Sequence, residues 1–209
     1  MMSSRIIVFT RYPIPGRTKT RLIPTLGAKG AADLQRHLTE QVVETVRQCS
    51  QSCGVQVEIR FNGGSATLMS RWLGTNLVYR RQEGRDLGEK MFNSFQQAFA
   101  EGSLKVILIG ADIPDLTVTI LEASLDLLDE NDVVLGPAND GGYYLLGLRE
   151  PTPSIFQNIS WGSSRVLAET SQRAYGLGLK LGFVKTLDDV DSPQDILKMG
   201  CHDRTIRKD

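Results

Sequence analysis

Cysteine, histidine and net charge are all scarce in this chain. Three cysteines in 209 residues (Cys49, Cys53 and Cys201) are too few for a disulfide framework. Two histidines, His37 and His202, give no zinc constellation of usable spacing. Reduced thiols in a cytoplasmic protein are expected. Lys plus Arg number 24, as do Asp plus Glu, so the formal charge is zero. That balance argues against a bulk electrostatic grip on nucleic acid or on an anionic membrane, and neither is expected as a partner. No apolar run reaches spanning length. The first, Ile6 to Phe9, is also too short for a signal segment. Repeats, low-complexity tracts and linkers are missing too, so residues 1–209 are expected to form one domain with a sizeable core.

Alternating strand and helix signals fill that length. Arg5 to Thr10, Val55 to Arg60, Leu77 to Tyr79, Lys105 to Ile109, Asp132 to Gly136, Tyr143 to Leu148 and Lys180 to Val184 read as strands. Between them a long helix is expected from Ala28 to Cys49, with Leu34, Leu38, Val42 and Val46 on one face. Shorter helices are expected over Ala66 to Leu73, Thr117 to Leu128 and Ser163 to Ala174. Asp86 is the N-cap of a further helix, with Glu89 at the capping-box position and Leu87, Met91, Phe95 and Phe99 as its buried stripe. Ser192 caps the last helix, with Pro193 at its first position and Asp195 at the box position. Only a short glycine-rich turn separates the strands ending at Gly136 and beginning at Tyr143, too little for a parallel crossover. The expected fold is therefore α/β: a three-layer α/β/α sandwich whose mixed, mostly parallel sheet contains one antiparallel strand.

Five segments carry chemistry. Asp112 follows the apolar run Val106 to Ile109, so it stands just beyond the C-terminal end of a central strand, where open α/β sheets bind ligands. One carboxylate there can hold a divalent cation against nucleotide phosphates. The loop Arg11 to Leu22 carries four cations (Arg11, Arg17, Lys19 and Arg21) and no acid. Gly16 allows close backbone approach, and such a loop suits a polyphosphate. Thr18 before Lys19 excludes a Walker A loop, and no Gly-x-Gly-x-x-Gly is present. A solvated basic loop is the plainer alternative. Gly88 inside the first turn of its helix costs about 1 kcal/mol relative to Ala, a cost that a close-approaching ligand would explain. In Gly136 to Tyr144, Asp140 beside two glycines is either a general base or part of a tight turn. Asp191, in the acidic run Asp188 to Asp191, is either a second metal ligand or a solvated acid near a helix cap.

Taken together and in order, these segments resemble the nucleotide-diphospho-sugar transferase superfamily, with its glycosyltransferase-A fold. The residues carrying the likeness are Phe9 to Pro13, Pro15 to Leu22, Asp86 to Gly88, Gly110 to Pro114, Gly136 to Tyr143 and Asp189 to Pro193. Within the superfamily they are most similar to small bacterial glycosyltransferase-like proteins, some linked to arsenosugar biosynthesis. The resemblance implies phosphate contacts from the first loop, a Mg²⁺ or Mn²⁺ ion on Asp112 completed by Asp191, and base contacts from Gln82 and Gly88. The expected activity is metal-dependent transfer of a sugar from a nucleotide-diphosphate sugar to a small-molecule acceptor, with Asp140 at the reacting sugar. Nucleotidyl transfer to a phosphorylated acceptor is the alternative enzyme reading. A catalytically inactive nucleotide-binding regulator is the alternative of another class. One departure from the glycosyltransferase pattern is that the usual pair of metal-site acids is reduced to a single acid in Gly110-Ala111-Asp112.

Overall fold

The computed structural model describes residues 4–202, with side chains through Leu197; the side chains of Cys201 and His202 lie outside the described residues. Strand β1 (Arg5–Arg11) leads through a short 3-10 helix (Thr20–Leu22) into helix α1 (Ile23–Cys53). Then come β2 (Gln56–Asn62), α2 (Ala66–Leu73), β3 (Val78–Arg81), α3 (Leu87–Ala100), β4 (Val106–Gly110) and α4 (Val118–Glu130). The chain continues through β5 (Val133–Pro137), β6 (Tyr143–Leu148), α5 (Val166–Gly176), β7 (Leu181–Phe183) and α6 (Pro193–His202).

The seven strands form one sheet in the order β3-β2-β1-β4-β6-β5-β7. Only β6 runs antiparallel, pairing with both β4 and β5. The mixed sheet expected from the short turn before Tyr143 is therefore present. Both faces are covered, and β1 shows why its sequence is continuously apolar. Ile6 and Val8 join one buried cluster with Val42, Val46, Met69 and Leu121 of α1, α2 and α4. Ile7 and Phe9 join a second with Met91, Phe95 and Ala98 of α3 and Ala174 of α5.

Local chemistry sets the helix ends. Ser65, Asp86 and Thr117 each accept a backbone N–H from three residues on, at Leu68, Glu89 and Ile120. Gly54 closes α1 in the left-handed conformation, φ 67°. Gly27, at φ 70° and ψ 166°, breaks α1 near its start, so the continuous helix begins where the sequence places it, at Ala28. Two expectations shift. Leu87 is 46 % exposed and does not belong to the buried stripe of α3, because the first position of that helix faces a cleft rather than the core. Helix α5 begins at Val166 rather than Ser163, because Ser163 and Ser164 form a turn against the loop between β5 and β6. No helix among the described residues is long and apolar enough to cross a membrane.

Candidate functional site

A cleft of about 660 Å³ opens at the C-terminal ends of the parallel strands. This is where a ligand crevice forms in an open α/β sheet. Because β6 is antiparallel, its first residues, Tyr143 and Tyr144, also reach this end.

Seven of the residues singled out from sequence meet here: Arg11, Lys19, Arg21, Gln82, Asp112, Asp140 and Asp191. Gly16, Arg17 and Gly88 do not line the cleft. Gly16 is needed for its backbone, φ 78°, and a Cβ there would meet nothing within 4 Å. Gly88 is needed for packing: a Cβ on it would lie 2.7 Å from the Trp161 ring. The ligand contact expected at that glycine is therefore replaced by a side chain of the same chain.

Lys19 is fully committed within the protein. Its side chain is 2 % exposed, its Nζ donates to the Val190 carbonyl at 2.6 Å, and it lies 3.0 Å from Asp112 Oδ1. Its backbone is left-handed, φ 45°, an uncommon conformation for a residue with a side chain. That turn drives the ammonium inward, so Lys19 ties three segments together: the β1 loop, the end of β4, and the stretch before α6. The Val190 N–H donates to the Asp112 carbonyl at 3.0 Å and strengthens the same junction. Arg21 pairs with Asp191 at 2.9 Å, but both side chains are well exposed, 76 % and 45 %. Arg11 is exposed at the cleft and makes no ion pair among the described residues.

The Gln82 amide N–H₂ donates to the carbonyls of Thr10 and Arg60, which fixes its carbonyl oxygen relative to β1 and β2. Asp140 Oδ1 accepts the Gly142 N–H at 2.7 Å, so the tight-turn reading and the cleft position hold together. Two cleft features were missed from sequence. Asp189 lines the cleft beside Asp191, and burial, helped by the nearby Asp140 charge, raises its carboxyl to about 6. Trp161 also lines the cleft, although nothing in the local sequence marks it as more than a core aromatic. Gly88 in the first turn of α3 was the sequence signal that could have pointed to an aromatic packed there.

Asp112 Oδ1 is buried against the Lys19 ammonium, while the side chain as a whole is 38 % exposed. No group of three or more His, Cys, Asp or Glu side chains among the described residues is placed to hold a metal. Asp112 and Asp191 both line the cleft, and Mg²⁺ or Mn²⁺ needs no more than one or two carboxylates, its remaining positions being filled by phosphate oxygens and water.

The sheet order, the single antiparallel strand and the crevice position define a nucleotide-diphospho-sugar transferase fold. Residues 45–163, more than half of the chain, match the model of the family described as "uncharacterized protein conserved in bacteria" (DUF2064), and the chain belongs to that family. It is similar to a candidate nucleotide-diphospho-sugar transferase from Desulfovibrio desulfuricans G20, at 32 % identity and TM-score 0.88, over 100 % of this chain and 91 % of the other. Two more distant structures share the fold. One is 4-diphosphocytidyl-2C-methyl-D-erythritol synthase from Anaerococcus prevotii DSM 20548, at 10 % identity and TM-score 0.64 over 96 % of each chain. The other is the inositol-1-phosphate CTP transferase of T. maritima, at 16 % identity and TM-score 0.57 over 93 % of this chain and 91 % of that one. No curated protein matches the sequence.

Proposed function

We propose that this protein is a glycosyltransferase that moves a sugar from a nucleoside-diphosphate sugar to the hydroxyl of a small acceptor. One observation carries the reading: a single cleft at the strand ends gathers the basic loop after β1 and the carboxylates Asp112, Asp140 and Asp191. Similarity to the Desulfovibrio protein supports it.

Arg11 and Arg21 hold the diphosphate oxygens. The exposed Arg21–Asp191 pair is worth little on its own, so Arg21 exchanges its carboxylate for a phosphate at small cost. Lys19 stays in place and positions Asp112. Asp112 and Asp191 would hold a Mg²⁺ or Mn²⁺ ion, which when bound supplies charge neutralisation to the departing diphosphate. In the transfer, the acceptor oxygen bonds to the anomeric carbon as the bond from that carbon to the diphosphate oxygen breaks. The electron pair leaves with the nucleoside diphosphate, and the acceptor proton passes to the Asp140 carboxylate. Stabilising the charge that develops on the leaving group is the largest contribution.

Nucleotidyl transfer is the second reading, favoured by the fold shared with the two cytidylyl-type enzymes. Incubation with separate panels of nucleoside-diphosphate sugars and nucleoside triphosphates, each with Mn²⁺ and hydroxyl or phosphate acceptors, separates the two. Release of nucleoside diphosphate from a nucleotide sugar, falling about 100-fold or more in Asp112→Asn, supports sugar transfer. Pyrophosphate release from a triphosphate, with every nucleotide sugar inert, refutes it.

A further inference from the structure

The cleft has two chemically different halves. Every lysine or arginine that lines it (Arg11, Lys19 and Arg21) comes from the end of β1 or the segment between β1 and α1. The opposite half is built from Leu87 and Met91 of α3, Tyr143 of β6, Trp161, and Val166 of α5, and the Gly141 backbone packed on Ser164 and Leu167 brings the neighbouring Asp140 to the same side. It contains no cation. A phosphate monoester placed there would lose its hydration and meet the Asp140 carboxylate with no cation in the lining, which is unfavourable on both counts.

The apolar half is also prepared in advance. Trp161 is partly exposed, and its ring lies against the first turn of α3 where Gly88 has no side chain. The segment carrying it is held at both ends. The Ser160 N–H and hydroxyl bond Glu169 at 2.6 and 3.0 Å, and Arg165 reaches the Ser160 hydroxyl at 3.1 Å. On the far side Ser164 packs so closely on Gly141 that a Cβ there would lie 2.1 Å from the Ser164 carbonyl oxygen, and the Leu167 N–H bonds the Gly141 carbonyl at 2.9 Å. A large aromatic ring fixed in place at a cleft wall, with the 46 % exposed Leu87 next to it, is a surface for the apolar face of another ring.

We propose that this half of the cleft is the acceptor subsite, and that it takes an uncharged, hydroxyl-bearing ring laid against Trp161 while excluding phosphate monoesters. The inference rests on the glycosyl-transfer reading and gives its acceptor a chemical class. Trp161 sets specificity by stacking, and Asp140 accepts hydrogen bonds from the ring hydroxyls.

The test is calorimetric titration of the whole protein with phenyl β-D-glucopyranoside and with glucose 1-phosphate. The neutral glucoside is expected to bind saturably and glucose 1-phosphate at least tenfold more weakly. Trp161→Ala is expected to weaken glucoside binding tenfold or more, and Trp161→Phe to retain most of it, which separates loss of the ring from loss of the fold. Leu87→Arg, placing a cation in the apolar half, is expected to bring glucose 1-phosphate binding up. Equal or tighter binding of glucose 1-phosphate to the wild type, an unchanged affinity in Trp161→Ala, or no saturable glucoside binding at all overturns the proposal. Nucleoside diphosphates titrated in parallel report on the donor half. Glucoside binding that persists without any nucleotide binding refutes the transferase reading and leaves the ring subsite standing.

Discussion

Replacing Lys19 by Met tests whether a buried ammonium organises the cleft. The substitution keeps the stem and removes the charge. In the wild type, Nζ donates to the Val190 carbonyl at 2.6 Å and sits 3.0 Å from Asp112 Oδ1, with only 2 % of the side chain exposed. Breaking a fully buried ion pair costs about 3–5 kcal/mol. Asp112 is 38 % exposed, so water compensates part of that loss. The orphaned Val190 carbonyl adds about 1–3 kcal/mol. The expected net loss is about 2–4 kcal/mol, or a fall in Tm of about 5–12 °C for a chain of this size. Urea denaturation reads it as a lower midpoint at constant slope. Asp112→Asn alone removes the partner charge, and the double variant completes a cycle in which the two losses overlap by about 1 kcal/mol or more. A loss below about 1 kcal/mol for Lys19→Met, or strict additivity in the cycle, refutes the argument that this pair joins the β1 loop to the acidic stretch before α6.

Gly88→Ala gains about 1 kcal/mol of helix propensity but forces a methyl to within 2.7 Å of the Trp161 ring. A net loss of about 1–2 kcal/mol and a red-shifted Trp161 emission are expected in a Trp72→Phe background; unchanged emission with a stability gain contradicts the packing. Glu58 is 1 % exposed and faces Arg60 at 2.6 Å, Arg5 at 3.0 Å and Arg80 at 3.5 Å, outside the cleft. Glu58→Gln should therefore cost about 3–5 kcal/mol in chemical denaturation while leaving ligand affinity of the folded protein intact. The Ser160 backbone N–H, with its hydroxyl and Arg165, holds the Glu169 carboxyl below its ordinary value of 4.5. A depressed carboxylate stabilises above its unfolded value and loses that stabilisation as pH falls through the folded one. Trp161 emission should accordingly change below about pH 4.5 in wild type, whereas Glu169→Gln shows the altered emission already at neutral pH; identical acid titrations refute the anchoring role.

Much of the architecture was legible because it rests on local rules. Val106 to Ile109 is buried on both faces and reads as a central strand, and Asp112 follows it at the cleft as expected. The antiparallel β6 was forced by a turn too short for a crossover. The site was legible only in part, for a physical reason. The direction in which a side chain points depends on backbone torsions and on partners far along the chain. Nothing near Lys19 announces a left-handed φ or a partner 171 residues away at Val190. Leu87 obeys the helical period of α3 yet faces the cleft, because the first turn of that helix projects beyond the core. Gly88 was read as making room for a ligand, and only the fold shows that Trp161 fills that space. Arg17 and Arg11 are equivalent in a charge count, and the turn at Gly16 leaves only Arg11 at the cleft.

The central claim is that the basic loop and Asp112 together bind a nucleoside diphosphate. Calorimetric titration of ADP, CDP, GDP and UDP, with and without Mn²⁺, into wild type, Arg11→Ala and Asp112→Asn measures this directly. At least one nucleotide should bind the wild type. Arg11→Ala should weaken it about tenfold or more by removing a charge-assisted phosphate contact, and Asp112→Asn should abolish the benefit of Mn²⁺. Failure of all four nucleotides to bind, or binding that is unchanged in both variants, contradicts the account.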